Sequence, residues 1–538
     1  MAPRTRFRPA LCLVAGLALS GAAAGTAGAG AVDVSAAATA RVPRFADVTP
    51  ASGLPARGQT SGAVLVDLDG DGLRDLLLGR HARVPEAYRN LGHCRFARLP
   101  DWGAAIDIFD HHATLVDDLD GDGIPDLYFV VGAHRGEGIG NNALHPGPRG
   151  DAADLARSWG VQDPFGRGRG ALLLDVAADG SRDLLVFNYR TAPRAYALRP
   201  SGPMRDRVRE LFGLPPAEDA VVAEVMGRGE PSGDARRRGE YVHDLWPQDL
   251  DGDGRADYLT LGVPPVRILR FADGVARPDL PALPSEACIP APVAGAWGDF
   301  DGDGQPDLYL VYGEDDAPSH FARPRRNRLL LGRAGRFTDA NDSRLALAGA
   351  GVACATADLD NDGTSDLVVL QSRRETWQSR TRILLNTGRG RCVEPPDASP
   401  VAADTPGLAD GILAADFDAD GDLDLLVLLG AIGPADRGGG VRLYRNDLAS
   451  GHWLNVRLEP RDRRLLWGAR VAVVIAGDRR QTRQYWPCQV HGSAFPEPLH
   501  FGLGGAARID SLTVFWPEGG WTTRTEIAVD QDLVVRQP

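Results

Sequence analysis

Asp299-Phe300-Asp301-Gly302-Asp303-Gly304-Gln305-Pro306-Asp307 is the stretch on which the fold turns. The phrase DxDxDGxxD recurs along the 538 residues, with aspartate at positions 1, 3, 5 and 9. The first copy has Asp67, Asp69, Asp71 and Asp75, and the second has Asp118, Asp120, Asp122 and Asp126. The fourth has Asp249, Asp251, Asp253 and Asp257, and the fifth Asp299, Asp301, Asp303 and Asp307. The sixth has Asp358, Asp360, Asp362 and Asp366, and the seventh Asp416, Asp418, Asp420 and Asp424. The third keeps Asp175, Asp179 and Asp183 but has Ala177 at position 3. First aspartates are 51, 57, 74, 50, 59 and 58 residues apart, a period of propeller blades or a solenoid, and the longest interval marks an insertion.

Short apolar runs flank each phrase. Ala63-Val64-Leu65-Val66 and Ala171-Leu172-Leu173-Leu174 precede a loop, and Leu127-Tyr128-Phe129-Val130 and Leu308-Tyr309-Leu310-Val311 follow one. Such runs, bounded by Gly and Asp, read as strands joined by the loop. Turn clusters such as Arg89-Asn90-Leu91-Gly92 leave room for two more strands in most repeats. The expected fold is all-β: a seven-bladed β-propeller over 32–447, followed by a small β-domain over 448–538. Within the long interval, Arg205 to Phe212 and Ala217 to Met226 read as helical around Pro215-Pro216, so a helical insertion is expected at about 200–240.

The loop chemistry calls for a hard cation. Carboxylates at positions 1, 3 and 5 fall on alternate residues of a tight turn, and Gly at position 6 permits the positive φ that folds the chain back. The carbonyl at position 7 and the carboxylate at position 9 complete an oxygen cage suited to calcium rather than zinc or copper. Without a cation, two like charges about 4 Å apart repel by roughly 4 kcal/mol at an effective dielectric near 20. An EF-hand begins in the same way but needs Glu at position 12 between two helices, whereas Leu78, Phe129 and Leu310 stand there amid strand-like text. Six or seven calcium sites are expected, the third being the weakest. Extracellular loops of this kind bind calcium at about 10⁻⁴ to 10⁻³ M.

Six complete loops and one degraded loop hold 6 × 4 + 3 = 27 of the 72 acidic residues, so much of the net charge of −13 lies where bound calcium would neutralise it. That charge argues against nucleic acid and anionic membrane surfaces as partners. At the N-terminus, Arg4, Arg6 and Arg8 precede the apolar run from Ala10 to Leu19 and then small residues, which reads as an export signal over 1–31. The run is too short to span a bilayer, and no later apolar stretch reaches spanning length. Export predicts a secreted or periplasmic protein. Cys94, Cys288, Cys354, Cys392 and Cys488 have no CxxC spacing, so neither a zinc site nor a disulfide framework can be read from them.

The repeats resemble those of FG-GAP and VCBS proteins, whose blades are similar to the integrin α-subunit propeller with calcium in its hairpin loops. Gly ahead of several loops survives as Gly62-Ala63, Gly170-Ala171 and Gly295-Ala296, while most Phe-Gly and Gly-Ala-Pro words are absent. Phe45-Ala46-Asp47-Val48-Thr49-Pro50 is similar to the opening of cartilage acidic protein family members. The tail, with His452-Trp453-Leu454, Gly468-Ala469-Arg470-Val471, His491-Gly492-Ser493, Leu499-His500-Phe501-Gly502 and Val514-Phe515-Trp516-Pro517, resembles the ASPIC/UnbV domain. Its apolar–polar alternation independently reads as a β-domain.

No catalytic set stands out. Asp107, Asp110, His111 and His112 sit before the second loop, where adjacent His rings on a strand face opposite ways and read as part of the blade. His491, Ser493 and His500 lack a GxSxG elbow. Trp453, Trp467, Trp486, Trp516 and Trp521 offer indoles for sugar stacking or for core packing. The function expected is non-catalytic recognition or adhesion outside the cytoplasm, with an extracellular protein or glycan as ligand. The alternative is a polysaccharide-active enzyme or accessory module using the repeats as scaffold.

Overall fold

The computed structural model describes residues 42–538 apart from several stretches, the largest being 103–110, 133–139, 175–181, 207–243, 285–291, 314–325 and 431–438. The export signal over 1–31, Asp107, Asp110, Asp175, Asp179, Asp253, Cys288, His491 and most of the expected helical insertion lie outside the described residues. The described chain is all-β, with helix only at Thr49–Ser52 and Ala156–Trp159.

Each Asp loop joins the first two strands of an antiparallel meander. The first sheet orders Ala63–Val66, Asp75–Leu78, Glu86–Asn90 and Phe96–Leu99. The second has His111–Asp117, Asp126–Val131, Asn142–Pro146 and Ala152–Asp154, and the third Gly168–Leu174, Asp183–Asn188, Arg194–Ala197 and Arg205–Asp206. Asp244–Gln248, Asp257–Leu261, Ile268–Ala272 and Val275–Asp279 form the fourth, and Ala294–Gly298, Asp307–Val311, Arg328–Arg333 and Arg336–Asp339 the fifth. In the sixth, Gly351–Ala357, Asp366–Arg373, Gln378–Asn386 and Cys392–Val393 take the same order, with Thr405–Pro406 also pairing on the third strand. The seventh uses Gly411–Ala415, Asp424–Leu428 and Val441–Asn446, and its outer strand is Phe45–Asp47 from the other end of the chain.

The second strands are apolar without alternation because neighbouring sheets cover both of their faces. Leu76 and Leu78 point one way, onto Leu413, Leu426 and Leu443 of the seventh sheet. Leu77 points the other way, onto Leu127 and Phe129 of the second. The pattern repeats around the molecule. Val130 meets Leu172 and Val186, and Tyr258 and Leu269 join the same cluster. Leu259 and Ile268 meet Leu308 and Leu310, and Tyr309 and Val311 meet Leu367 and Val369. Val368 and Leu370 meet Ile412 and Leu425. Tyrosines buried in this packing keep their hydroxyls bonded: Tyr128 donates to the Val161 carbonyl at 2.7 Å and Tyr309 to the Leu345 carbonyl at 2.8 Å.

One finding departs from the sequence reading. Arg205 and Asp206 form a strand rather than the start of a helix, because they pair with Ala197 and Tyr196 to supply the fourth strand of the third sheet. The sheet's need for a fourth strand overrides local helix propensity. The described tail is β, built of two sheets and a hairpin. One of its sheets orders Leu499–Gly504, His452–Glu459 and Gln531–Arg536, and the other Arg479–Gln484, Arg470–Ile475, Ile509–Phe515 and Trp521–Ile527, around Leu454, Phe501, Val471, Val473, Leu512 and Val514. Its hairpin, Cys488–Val490 and Ser493–Phe495, leaves these sheets and pairs in parallel with the first strand of the first sheet, Val64 opposite Ala494. The hairpin also contacts the first strands of the second, sixth and seventh sheets.

The N-terminal strand thus bonds the start of the repeats to their end, with Phe45 buried beside Ala355, Val427 and Tyr444. Phe45→Ala is expected to cost about 3 to 4 kcal/mol in urea unfolding, as expected when a buried aromatic is truncated. A loss below about 1 kcal/mol would mean that the strand contributes little to holding the two ends together.

Candidate metal centre

The seven loops share one register. The residue before each loop pairs with its position-9 aspartate: Val66 with Asp75, Asp117 with Asp126, Leu174 with Asp183, Gln248 with Asp257, Gly298 with Asp307, Ala357 with Asp366 and Ala415 with Asp424. These seven carboxylates are at most 5% exposed. In six of the loops one oxygen accepts the position-2 N–H, for instance Leu68 to Asp75 at 2.9 Å and Phe300 to Asp307 at 2.8 Å. The other oxygen accepts an N–H from the third strand: Asn90 at 2.8 Å, Gly332 at 2.7 Å, Asn386 at 2.7 Å and Asn446 at 2.8 Å. In the second sheet Pro146 occupies that register and has no N–H, and His145 Nδ1 meets Asp126 at 2.9 Å instead. The position-9 carboxylate therefore ties together both ends of the loop and the adjacent strand.

Position 1 closes the turn. Asp67 accepts the N–H of Gly70 at 2.7 Å and of Gly72 at 2.9 Å, and Asp299 accepts those of Gly302 at 2.8 Å and Gly304 at 2.9 Å. Both donors of the fifth loop have positive φ, +79° at Gly302 and +82° at Gly304, so position 4 carries the same backbone demand as position 6. Asn361 and Ala419 meet that demand in the sixth and seventh loops at +54° and +65°. Position-5 carboxylates accept the N–H of position 7, as Asp71 does from Leu73 at 2.9 Å and Asp303 from Gln305 at 2.8 Å. Their remaining oxygens converge. Asp67, Asp69 and Asp71 each place an atom within 4.8 Å of the others, as do Asp118, Asp120 and Asp126, and Asp299, Asp301 and Asp303.

The donor set is thus hard oxygen on a folded turn, and it fits a divalent cation such as calcium. The electrostatics of the bare carboxylates agree. Burial pushes Asp75 and Asp126 up to about 6 and Asp307, Asp358 and Asp416 up to about 7, with the neighbouring loop carboxylates adding repulsion at Asp75, Asp307 and Asp416. A bound divalent charge would draw all of them back down. Side chains of the protein partly fill this need. Arg89 Nε lies 2.6 Å from Asp69, and Arg333 pairs with Asp301 at 2.6 Å and with Asp303 at 2.5 Å. His145 Nε2 lies 3.5 Å from Asp122 and Arg445 Nε 4.0 Å from Asp418.

Sequence reasoning missed these third-strand cations, the position-4 geometry and a further layer: the tail docks on the loops. Gly502 donates its N–H to Asp358 at 3.0 Å and Gly504 to the Asn361 carbonyl at 2.8 Å. His500 Nε2 lies 2.8 Å from Asn361 Oδ1, and Asp249 donates its N–H to Gln484 at 3.2 Å. A Cβ on Gly502 would lie 2.2 Å from Asp358 Oδ2, so only glycine allows this approach. The signal lay in Leu499-His500-Phe501-Gly502, but nothing in one sequence says what a glycine faces.

Several of the other candidates make structural contacts. Removal from water pushes His500 down to about 3, so the ring is neutral between Asn455 and Asn361. His111 is buried edge-on against Phe129 at 4.9 Å. Trp467 and Trp516 are buried, Trp486 bonds Gln484 at 2.8 Å and Trp453 packs on Gly421, while Trp521 is 69% exposed. Cys94, Cys354 and Cys392 are buried, and none of the three is in a disulfide.

Residues 460–538 match the family model described as ASPIC and UnbV, and residues 249–310, which hold the fourth and fifth loops, match that of the FG-GAP-like repeat. The chain carries FG-GAP-like repeats and a C-terminal ASPIC/UnbV domain. No curated protein sequence matches it. Among solved structures it is similar to BBS1N from the complex with ARL6DN, at 13% identity and TM-score 0.40, covering 75% of this chain and 96% of that one. It is also similar to Bacillus licheniformis rhamnogalacturonan lyase PL11, at 14% identity and TM-score 0.35, with 75% of each chain covered. The V. cholerae biofilm matrix protein Bap1 matches at 13% identity and TM-score 0.30, over 88% of this chain and 74% of that one. Likeness at this level says nothing about ligand or chemistry.

Two aspartates of the fifth FG-GAP-type loop separate the structural and metal roles. Asp307→Ala strands the N–H groups of Phe300 and Gly332 and should cost about 3 kcal/mol even in chelator. Asp301→Ala loses a pair with an exposed Arg333 and should cost less than about 1 kcal/mol in chelator but more in calcium. Urea unfolding under both conditions checks this, and equal losses in chelator would contradict it.

Proposed function

We propose that this protein is an exported, calcium-loaded seven-bladed β-propeller that recognises an extracellular protein or glycan without chemical turnover. The observation that carries the reading is the shared loop register: seven loops, each anchored by a buried position-9 carboxylate, with converging oxygens in the first, second and fifth. Closure of the ring is supported by the packing of the seventh sheet on the first and by the strand Phe45–Asp47, which joins the chain's beginning to its last repeat. In this reading Ca²⁺ is the resident cation. Asp67, Asp69 and Asp71 hold it in the first loop and their counterparts in the others. It neutralises clustered carboxylates and stiffens the turn between two core strands.

Recognition falls to the opposite end of the sheets. The ASPIC/UnbV domain engages the fourth and sixth loops through Gln484, Gly502 and His500, and Trp453 packs on Gly421 of the seventh, so much of the Asp-loop end is in use. The second and third strands of each sheet are joined at the other end, where a binding face can be built. Export rests on the basic and apolar N-terminus, and among the described residues no helix is long and apolar enough to cross a membrane. His111 packs on Phe129, His145 faces the second loop and His500 is held between Asn455 and Asn361, so these three rings serve the structure in this reading.

A glycan and extracellular-matrix protein array probed with the calcium-loaded full chain tests this. The expected result is retention on a defined ligand, with no new products when that ligand is incubated with the protein. Appearance of hydrolysis or elimination products, abolished by changing a single carboxylate outside the Asp loops, would overturn the non-catalytic reading in favour of a polysaccharide-active enzyme.

A further inference from the structure

The turn between the third and fourth strands of the first sheet has the same hydrogen bonds as its counterpart in the sixth. In the sixth, Thr387 donates its N–H to the Arg391 carbonyl at 2.7 Å and Arg391 to the Gly388 carbonyl at 3.3 Å, and Gly390 takes a φ of +69°. In the first, Leu91 donates to the Arg95 carbonyl at 2.8 Å and Arg95 to the Gly92 carbonyl at 3.1 Å, with Cys94 in the place of Gly390 at φ +56°. Glycine suits that backbone best, so a cysteine is held there against its preference. Its side chain reaches another repeat. The Cys94 thiol donates to Asp424 Oδ2 of the seventh loop at 3.6 Å, 330 positions along the chain, and Cys94 is buried.

The seventh loop differs from its relatives at position 3. Asp69 of the first loop and Asp301 of the fifth pair with third-strand arginines at 2.6 Å. In the seventh, Arg445 instead bonds Asp447 through Nε at 2.7 Å and Nη2 at 3.1 Å, and its Nε stands 4.0 Å from Asp418. Only 10% of the Asp418 side chain is exposed, and its Oδ1 is buried without a hydrogen-bond partner. Asp418 and Asp424 each place an oxygen within 4.8 Å of Cys94 Sγ and of each other. A tetrahedral zinc ion, bound to sulfur at about 2.3 Å and to oxygen at about 2.0 Å, sets those ligand atoms roughly 3.5 Å apart. Cys94 and Asp424 already have that spacing. One sulfur among hard oxygens changes the ion that fits, because thiolate favours zinc and calcium takes oxygen.

We propose that the seventh loop is a zinc site in which Cys94 of the first repeat joins Asp418 and Asp424 of the last, so that the ion ties the two ends of the repeats together. The ion takes the place of the thiol proton, which leaves to solvent. Calcium fills this loop only when zinc is absent, and the other loops keep their all-oxygen donor sets. The inference shares the loop fold with the calcium reading but rests on a different donor. A clip across so long a stretch of chain restricts the unfolded state, and it acts at the same seam as the strand Phe45–Asp47.

Cadmium added to the full chain in excess calcium tests it, because a cadmium–thiolate bond adds an ultraviolet charge-transfer absorption that cadmium–oxygen bonds lack. The parent should gain this band, and zinc should remove it by displacement. Cys94→Ser, which keeps the size of the side chain, should lose the band. Asp418→Asn keeps the thiol and should weaken cadmium binding at least about tenfold, which tests the site even if Cys94→Ser fails to fold. Zinc should raise the urea midpoint of the parent and not that of Cys94→Ser. A parent without the band, an equal band in Cys94→Ser or unchanged affinity in Asp418→Asn would overturn the proposal and leave Cys94 as a buried thiol bonded to Asp424. Protection of the Gly304 amide by calcium, read by hydrogen–deuterium exchange on the parent, reports the fifth loop. Its absence would count against the calcium reading alone, while the band decides this inference.

Discussion

The structure depends on one buried carboxylate repeated seven times. At position 9 of each loop an aspartate begins the second strand, removed from water, and in the fifth and sixth loops its two oxygens bond N–H groups from the loop and the third strand. A buried charge of this kind is tolerable only when it is hydrogen-bonded and its charge is compensated. That constraint fixes the loop conformation, which in turn sets the register of the first two strands and brings positions 1, 3 and 5 together. The cost of burial is visible in Asp307, pushed up to about 7 when only protein groups surround it. A bound divalent cation would remove that cost and make a self-repelling loop a rigid corner.

Neighbouring loops are joined as well. Asn386 of the sixth sheet donates its side-chain N–H to the Phe300 carbonyl at 2.9 Å, and Asn446 of the seventh donates to the Leu359 carbonyl at 2.9 Å. Each of these asparagines lends its backbone N–H to its own position-9 carboxylate and its side chain to the loop before it. Asn361 extends the chain of contacts to Asp422 at 2.8 Å, and from there the ASPIC/UnbV domain is held through His500 and Gly504. The Asp loops, the sheet interfaces and the terminal domain thus form one connected polar layer over an apolar stack.

Much of this was legible in the sequence, for a physical reason. A phrase repeated seven times with strand-like flanks states the unit and its loop, and apolar runs without alternation state that both faces of the second strand are covered. The register was not legible. Position 9 read only as a ligand, yet Asp307 is also the acceptor for Phe300 and Gly332. Arg205 and Asp206 read as helix because local propensity cannot anticipate a partner strand at Tyr196 and Ala197. The contact of Gly502 with Asp358 is invisible for the same reason: the two lie 144 residues apart in the chain, and only the docked tail brings them together.

The central claim is that hard divalent cations occupy these loops and hold the repeats in register. Crystals grown in calcium and measured at a wavelength where calcium scatters anomalously test it most directly. The account predicts anomalous peaks at about 2.3 to 2.6 Å from the carboxylate oxygens of the first, second, fourth, fifth, sixth and seventh loops, with the weakest or no peak at the third, which lacks its position-3 aspartate. Loops of unchanged conformation with no peak at Asp67, Asp69 and Asp71 or at Asp299, Asp301 and Asp303 would contradict it.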